Sequence, residues 1–197
     1  MNQREFFNSM AEKWDSFCKH DNKKIIEILN LLEIKPSDKV LDVGTGTGIL
    51  IPFLLERVGK GGEVCAVDIS EKMIEVAMKK YAASNLTFKN EDILDCDLNT
   101  RYYDKVICYS MFPHFEDKKK AIEKLRKYLK KNGKLIICHS QSREAINNLH
   151  KDSSIVVEKD ILPKMEILEN YFIGANYKVL KKVDSEEMFV VIAKKMD

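Results

Sequence analysis

The chain has 197 residues, of which 45% are hydrophobic and 32% are charged. This balance predicts one folded domain of ordinary size and excludes disordered and collagen-like chains. Lysine and arginine total 33, and aspartate and glutamate total 31, which gives a formal net charge of +2. The near-neutral charge provides no bulk attraction to nucleic acid or to an acidic membrane surface.

The sequence contains neither a membrane span nor a targeting segment that we can identify. No apolar run reaches about 18 residues, and the first residues lack the apolar core of a secretory signal. The five cysteines form no C-x-x-C pair, and Cys65, Cys108 and Cys138 lie within apolar runs. We therefore expect buried thiols in a reducing, cytoplasmic environment, without a membrane partner.

The N-terminal segment has the hydrophobic period of a helix. Apolar residues recur every three or four positions from residue 2 to residue 32, which predicts amphipathic helix. The polar stretch 19–22 interrupts this period, so we expect a break between two helices there. Residues 36–38, with the sequence Pro-Ser-Asp, predict a turn.

Beyond this turn, short apolar runs alternate with amphipathic stretches, which is typical of an α/β domain with a parallel sheet. Seven strands are predicted, at residues 39–43, 63–67, 86–89, 104–109, 134–138, 177–183 and 188–193. Helices are predicted at residues 49–58, from Ser70 onward with Ser70 as the N-cap, and at 117–131, 140–150 and 161–172. The last two strands follow each other directly, so we expect them to be antiparallel.

A glycine-rich loop joins the first predicted strand to a helix. Glycine occupies positions 44, 46 and 48, and this residue allows positive φ and a close approach of the backbone to a ligand. The helix that follows offers free N–H groups at its N-terminus. Asp68 ends the second strand about twenty residues after Gly48, where an acid can accept hydrogen bonds from both ribose hydroxyls.

The loop does not fit a dinucleotide. The G-x-G-x-x-G pattern requires a third glycine where this chain has Ile49. Asp42, just before the loop, would repel a pyrophosphate but suits a ligand with an ammonium or sulfonium group.

Five segments in this order resemble the motifs of class I S-adenosylmethionine-dependent methyltransferases: residues 40–48, 67–73, 90–93, 103–117 and 129–137. Residues 7–15 resemble the lid helix of the ubiquinone/menaquinone-biosynthesis-like branch. The resemblance implies a Rossmann-like, doubly wound, mostly parallel seven-stranded sheet with an antiparallel last strand. It also implies a single methyltransferase domain, with a helical lid at 1–35 and the core at 36–197.

The resemblance further implies how S-adenosylmethionine would be held. Asp42 would meet the amino group, and Asp68 would hold the ribose. The other implied contacts are Gly44, Thr45, Gly46 and Gly48 under the methionine part, Ile69 and Met73 on the ribose and adenine, Asp92 and Ile93 at the adenine, and Tyr109 and Ser110 near the methionine end.

Three histidines follow strands at the predicted carboxyl edge of the sheet or lie just beyond them: His114, His139 and His150. They are our candidate catalytic residues, and three interpretations are open. They are isolated polar residues satisfied locally; or His114 or His139 is a general base for an O–H, N–H or S–H acceptor; or the three hold a divalent metal, with a carboxylate or Cys18.

The remaining polar features favour structural roles. Ser140 or Ser142 is expected to cap the following helix, and Arg143 to pair with a surface acid or, alternatively, to bind an anionic substrate. The lysine runs 118–120 and 130–131 predict a solvated helix face. The loop after the fourth strand lacks the Asn/Asp-Pro-Pro-Tyr/Phe sequence of base-amino methyltransferases, so no nucleic-acid partner is expected.

We therefore predict a methyltransferase that moves a methyl group from S-adenosylmethionine to a small molecule and leaves S-adenosylhomocysteine. The alternatives are a binding module without its own chemistry and a methyltransferase that acts on a macromolecule. The lid and the segment 140–163 are expected to form the acceptor pocket. The sequence names neither the acceptor nor the oligomeric state.

Overall fold

The computed structural model describes residues 1–153 and 156–197. The chain divides into two compact units, unit one from Met1 to Asp97 and unit two from Leu98 to Asp197. Seven strands form one mixed sheet, as the sequence predicts. Within the residues described, none of the helices is long and apolar enough to cross a membrane.

The strands are β1 (Lys39–Val43), β2 (Glu63–Asp68), β3 (Leu86–Asn90), β4 (Tyr103–Tyr109), β5 (Leu129–His139), β6 (Tyr177–Asp184) and β7 (Phe189–Lys195). The helices are α1 (Gln3–Met10), α2 (Trp14–Phe17), α3 (Asn22–Leu32), α4 (Ile51–Val58), α5 (Glu71–Lys80), α6 (Lys118–Tyr128), α7 (Arg143–Ser153) and α8 (Met165–Gly174). Short 3₁₀ turns cover Ala11–Lys13 and Phe112–His114.

In unit one, three parallel strands lie in the order β3-β2-β1. Their registers pair Val43 with Val67 and Asp68 with Asn90, so the carboxyl ends of β1 and β2 lie side by side. The interiors of β1 and β2 are buried on both faces, whereas β3, at the edge of the sheet, is partly exposed. The residues that follow these ends therefore share one edge of the sheet.

The N-terminal helices also belong to unit one, and the predicted break between them is confirmed. Helix α1 begins with a capping box, in which Asn2 and Glu5 each accept a hydrogen bond from the other's backbone N–H. Helix α3 begins after Asp21, whose carboxylate accepts from the Lys23 N–H at 2.8 Å. Each helix thus has its own start, and the polar stretch between them is not helical.

In unit two, four strands lie in the order β4-β5-β7-β6. Strands β4 and β5 are parallel, whereas β7 is antiparallel to both β5 and β6. The antiparallel pairing predicted for the last two strands is therefore confirmed. Fully buried Phe112, Phe172 and Phe189 are among the largest side chains of this core.

Helix α6 ends earlier than the lysine-rich pattern predicts. It ends at Tyr128, and β5 begins at Leu129 instead of residue 134. Leu129 is fully buried, has an extended backbone and pairs with Tyr103 of β4, while the Lys130 ammonium contacts both carboxylate oxygens of Asp104. Burial and strand pairing outweigh the helix propensity of this segment.

Two further helices begin later than predicted. Helix α7 begins at Arg143 because the Ser142 hydroxyl accepts from the Ala145 N–H at 3.1 Å, which makes Ser142 the cap. Helix α8 begins at Met165, two residues after Pro163. Proline disfavours helical geometry in the residue before it, so residues 161 and 162 remain outside the helix.

The packing of α8 yields a test of the core of unit two. Phe172 is fully buried, and its ring centroid lies 5.3 Å from that of Tyr177. We expect Phe172→Ala to lower the free energy of unfolding by about 3–5 kcal/mol, because it removes apolar burial and leaves a cavity. Ile173→Ala, at a 60% exposed neighbour, should change it by less than about 0.5 kcal/mol. Urea unfolding measures both, and equal effects would contradict this packing.

Candidate functional site

The glycine-rich loop leaves the end of β1 in a conformation that favours glycine. Gly44, Gly46 and Gly48 all have positive φ, at 67°, 55° and 88°. The loop begins against β2, where the N–H groups of Gly44 and Thr45 both donate to the Val67 carbonyl. The predicted glycine pattern therefore corresponds to a real backbone requirement.

Gly48 faces a crowded environment. A Cβ atom at this position would lie 2.8 Å from Ile51 and 2.9 Å from Tyr81, distances that side chains do not tolerate without moving. Gly46 has more room, because its nearest neighbour is the Trp14 indole nitrogen at 3.7 Å from the same virtual atom. The loop thus packs closely against Ile51 and Tyr81 at Gly48, and it faces the lid residue Trp14 at Gly46.

Asp68 joins the loop to the start of α5. One carboxylate oxygen accepts from the Gly46 N–H and the other from the Ser70 N–H, both at 2.8 Å. Ser70 is the N-cap of α5, as predicted, and its hydroxyl accepts from the Met73 N–H. An ionised carboxylate has about four acceptor positions, so it can serve several donors at once.

Asp42 is the most unusual acid of unit one. It is 2% exposed, and the Thr45 hydroxyl donates to it at 2.7 Å. Burial raises the pKa of the Asp42 carboxyl to about 7; the Thr45 hydrogen bond opposes this shift and the charge of Asp68 adds to it. A positive group placed beside Asp42 would restore its ionised form.

The remaining residues predicted to contact a cofactor in unit one follow β2 and β3. Met73 and Ile93 are buried, and Ile69 is partly exposed. Asp92 accepts from the Leu94 N–H at 2.9 Å and so shapes the turn after β3. Asn90 donates its side-chain amide to the carbonyls of Asp68 and Ile69, which ties that turn to the end of β2.

The N-terminal lid is anchored to this edge by polar contacts that the sequence does not reveal. Asn8 accepts from the Ser70 hydroxyl at 2.6 Å. Asp15 accepts from the Thr47 hydroxyl within the loop and pairs with the Lys80 ammonium at 2.7 Å. Lid and loop residues lie far apart in the chain, so their pairing depends on the fold rather than on a local pattern.

In unit two, His114 forms a close pair with an acid that sequence reasoning missed. Its Nδ1 atom lies 2.7 Å from a carboxylate oxygen of Asp160, and both side chains are 14% exposed. Because an ionised carboxylate only accepts, this contact places the proton on Nδ1 and leaves Nε2 with a lone pair in the neutral ring. This is the geometry of an oriented general base.

His150 and His139 complete a cluster of imidazoles around this pair. The His114 and His150 ring centroids are 5.0 Å apart, and His150 Nδ1 donates to the Asp160 backbone carbonyl at 2.6 Å. Burial, and then the neighbouring His114, lowers the pKa of His150. Burial, followed by His114 and His150, lowers the pKa of His139 to about 3. Both rings are therefore neutral near pH 7.

His139 differs from the other two in its hydrogen bonding. Its side chain is fully buried, and neither ring nitrogen has a hydrogen-bond partner within 1–153 and 156–197. The interpretation that the histidines are satisfied locally thus fits the Nδ1 atoms of His114 and His150 but not His139. The structure brings the three predicted histidines together.

Hydrogen bonds fix the segments next to Asp160 and His114. Asn147 of α7 exchanges two hydrogen bonds with the Leu162 backbone, at 3.2 and 2.8 Å. The Lys118 ammonium donates to the carbonyls of Pro113 and Phe115, beside His114. The acid comes from a loop with no recognisable motif, so only the fold identifies it.

The other predicted features of unit two have local partners. The Tyr109 hydroxyl lies 2.9 Å from the Ser140 hydroxyl, and Ser110, at φ 54°, donates its N–H to the Cys138 carbonyl. Arg143 lies 3.7 Å from the Asp184 carboxylate, in agreement with the expected surface pair. Among the residues described, no three histidine, cysteine or acidic side chains are arranged to hold a metal ion.

Comparison with known proteins assigns the family. The sequence model of the methyltransferase domain family matches residues 34–184. A malonyl-acyl-carrier-protein O-methyltransferase of Acetivibrio thermocellus is 34% identical over 66% of this chain and 46% of its own length. A demethylmenaquinone methyltransferase of Thermotoga maritima is 32% identical over 66% of this chain and 58% of its own.

The fold has known counterparts as well. A methyltransferase from Aquifex aeolicus described as S-adenosylmethionine-dependent superimposes with a TM-score of 0.73 over 98% of this chain and 99% of its own, at 21% identity, which supports the fold alone. The chain spans about half the length of the curated relatives it matches. With the family match covering most of its residues, the chain belongs to the class I S-adenosylmethionine-dependent methyltransferases.

Proposed function

We propose that this protein transfers a methyl group from S-adenosylmethionine to a small-molecule acceptor. The main support for the proposal comes from the edge of the unit-one sheet where β1 and β2 end. There, the glycine-rich loop lies between two acids with different environments. Asp68 is hydrogen-bonded to two backbone N–H groups, whereas Asp42 is buried with a raised pKa. A ligand with one ammonium group and two ribose hydroxyls matches both acids.

The residues at this edge fit the cofactor group by group. Asp42 would pair with the ammonium of the methionine part, and the loop Gly44, Thr45, Gly46 and Gly48 would lie beneath that part. Asp68 would accept from the ribose hydroxyls. Ile69, Met73, Asp92 and Ile93 would surround the adenine. The contact of Tyr109 and Ser110, which belong to unit two, with the methionine end stays a prediction from the resemblance. When bound, the cofactor supplies an electrophilic methyl group on a sulfonium.

We assign the role of general base to His114. Its Nδ1 atom donates to Asp160, which leaves the lone pair of the neutral ring on Nε2. Asp160 would act as a positioning residue that fixes the ring and stabilises the imidazolium once formed. His139 and His150, both neutral near pH 7, would offer ring nitrogens to the acceptor rather than take its proton. This chemistry suits an acceptor that carries an O–H, N–H or S–H group.

A small acceptor is favoured by the chain itself. Its net charge is only +2, which provides no bulk attraction to a nucleic acid. Two relatives are named as methyltransferases of malonyl-acyl-carrier protein and of demethylmenaquinone, which supports a search among acceptors of these two kinds. Four of the five cysteines are buried, which supports buried thiols in a reducing, cytoplasmic location.

The protonation of Asp42 predicts pH-dependent cofactor binding. Only the ionised carboxylate pairs with an ammonium, so we expect the affinity for S-adenosylmethionine to rise about tenfold between about pH 5.5 and about pH 7. The sign follows from the raised pKa, because the protonated form predominates below it. Isothermal titration calorimetry in buffers of different ionisation enthalpy would also detect the proton released on binding.

Asp42→Asn provides the matched control for this experiment. It retains the size of the side chain but cannot ionise, so binding should be weaker and should no longer depend on pH in this window. A wild-type affinity that is constant across the window would refute the role of Asp42. Failure to bind the cofactor at millimolar concentration would refute the proposed function as a whole.

The His114–Asp160 pair yields a second prediction. We expect His114→Ala to lower kcat by about a hundredfold or more, because the proton acceptor is lost, and Asp160→Asn to lower kcat with little change in the KM for cofactor. The measurement is transfer of a radiolabelled methyl group to a panel of phenols, quinols, thiols and carboxylic acids. In the NMR spectrum, the hydrogen-bonded Nδ1–H proton of His114 should lose its protection from exchange in Asp160→Asn.

Glu116→Gln, an exposed change two residues from His114, serves as the control and should retain full activity. If Asp160→Asn raises the cofactor KM and leaves kcat unchanged, the positioning role is wrong. Cofactor binding without transfer to any acceptor class would favour the alternative of a binding module. Transfer only to protein or RNA in a cell extract would favour a methyltransferase that acts on a macromolecule.

A further inference from the structure

Unit two contains a cavity at the opposite end of β4 from His114. Its volume is about 450 Å³, within the range of sites that hold small ligands. The residues that line it are Thr100, Arg101, Arg126, Lys127, Lys131, Lys195 and Asp197. We call it the basic cavity, because five of these side chains are cationic and one is anionic.

Some of these charges have partners in the structure. The Lys131 ammonium lies 2.6 Å from the Asp197 carboxylate, in an exposed pair that contributes little on its own. The buried Lys195 ammonium donates to the carbonyls of Arg126 and Leu129, at 3.0 and 2.6 Å. Lys195 therefore satisfies carbonyls at the C-terminal end of α6, and this role is structural.

A structural role does not account for Arg101 and Lys127. The backbone N–H groups of Arg101 and Tyr102 already donate to the Lys127 and Tyr128 carbonyls. These two carbonyls at the C-terminal end of α6 therefore need no further donor. Within 1–153 and 156–197, the side chains of Arg101 and Lys127 form no hydrogen bond or ion pair, and both are exposed. The Arg126 guanidinium donates to the Met196 carbonyl, but its Nε atom is buried without a hydrogen-bond partner among the residues that the structure describes, which carries a free-energy cost.

The electrostatics of the cavity are therefore unbalanced. Burial, and after it the charges of Arg126 and Arg101, lowers the pKa of Lys195. Cations that repel one another in this way are stabilised when an anion lies among them. Guanidinium groups also present paired N–H donors that match two phosphate oxygens at once.

From this geometry we propose that the basic cavity binds a pyrophosphate group, either as the free anion or as part of a larger molecule. Several cations around a cavity of this size favour an anion with more than one charge. None of the lining residues is aromatic, so the cavity offers no stacking surface for a nucleobase, and the phosphates would carry the recognition. The site is independent of the proposed methyl transfer.

The test is calorimetric titration of the full chain with inorganic pyrophosphate and with adenosine diphosphate. We expect both to bind, because they share the phosphate group, and the affinity to fall as salt is added. Arg101→Gln and Lys127→Gln should each weaken binding by about tenfold. Neither side chain takes part in the packing of the core, so both variants should fold normally.

Lys119→Gln is the matched control, since it removes the same charge from an exposed position near the other end of α6. Unchanged binding in this variant would support the proposal, whereas an equal loss in all three variants would show non-specific attraction and overturn it. Binding that S-adenosylmethionine displaces would place the anion at the cofactor edge and also overturn it. Tighter binding of a short RNA that depends on the same two residues would replace it with a nucleic-acid surface.

Discussion

The glycine loop of unit one depends on the two hydrogen bonds that the Asp68 carboxylate accepts. One fixes the backbone at Gly46, where φ is positive, and the other fixes the start of α5 at Ser70. The same carboxylate thereby sets the distance between the loop and the helix. Without this carboxylate, the loop would lose the hydrogen bond that holds Gly46, the glycine that faces the Trp14 indole of the lid.

Asp42 shows the opposite balance, which supports the binding role that we propose for it. Its pKa in the folded chain is about 7, above the ordinary value of 3.8, so the folded state retains a proton that the unfolded state releases. The stability contributed by this group is therefore present at low pH and is lost as the pH rises through about 7. A buried acid that weakens the fold near neutral pH is typical of a site that awaits a positive ligand.

The features that could be predicted from the sequence are those that neighbouring residues specify. The glycine loop, the Ser70 cap and the strands that precede the acids are specified by neighbouring residues, and the structure contains each of them. Asp160 was missed because its partner His114 is 46 residues away and no motif surrounds it. The early end of α6 was missed for a similar reason, since pairing of Leu129 with Tyr103 across the sheet overrides the helical pattern. In both cases the deciding contact forms only in the folded chain.

Hydrogen bonding distinguishes His139 from the other two histidines of the cluster. His114 and His150 each use Nδ1 on Asp160, one on its carboxylate and one on its carbonyl, so a single residue orients both rings. His139 is fully buried beside them, and within the described part of the chain neither of its ring nitrogens has a hydrogen-bond partner, although an apolar side chain of similar size would avoid that cost. A buried, unpartnered imidazole beside two oriented imidazoles supports a ligand site in this cluster. Under the function that we propose, this ligand is the methyl acceptor, which would donate a hydrogen bond to His139.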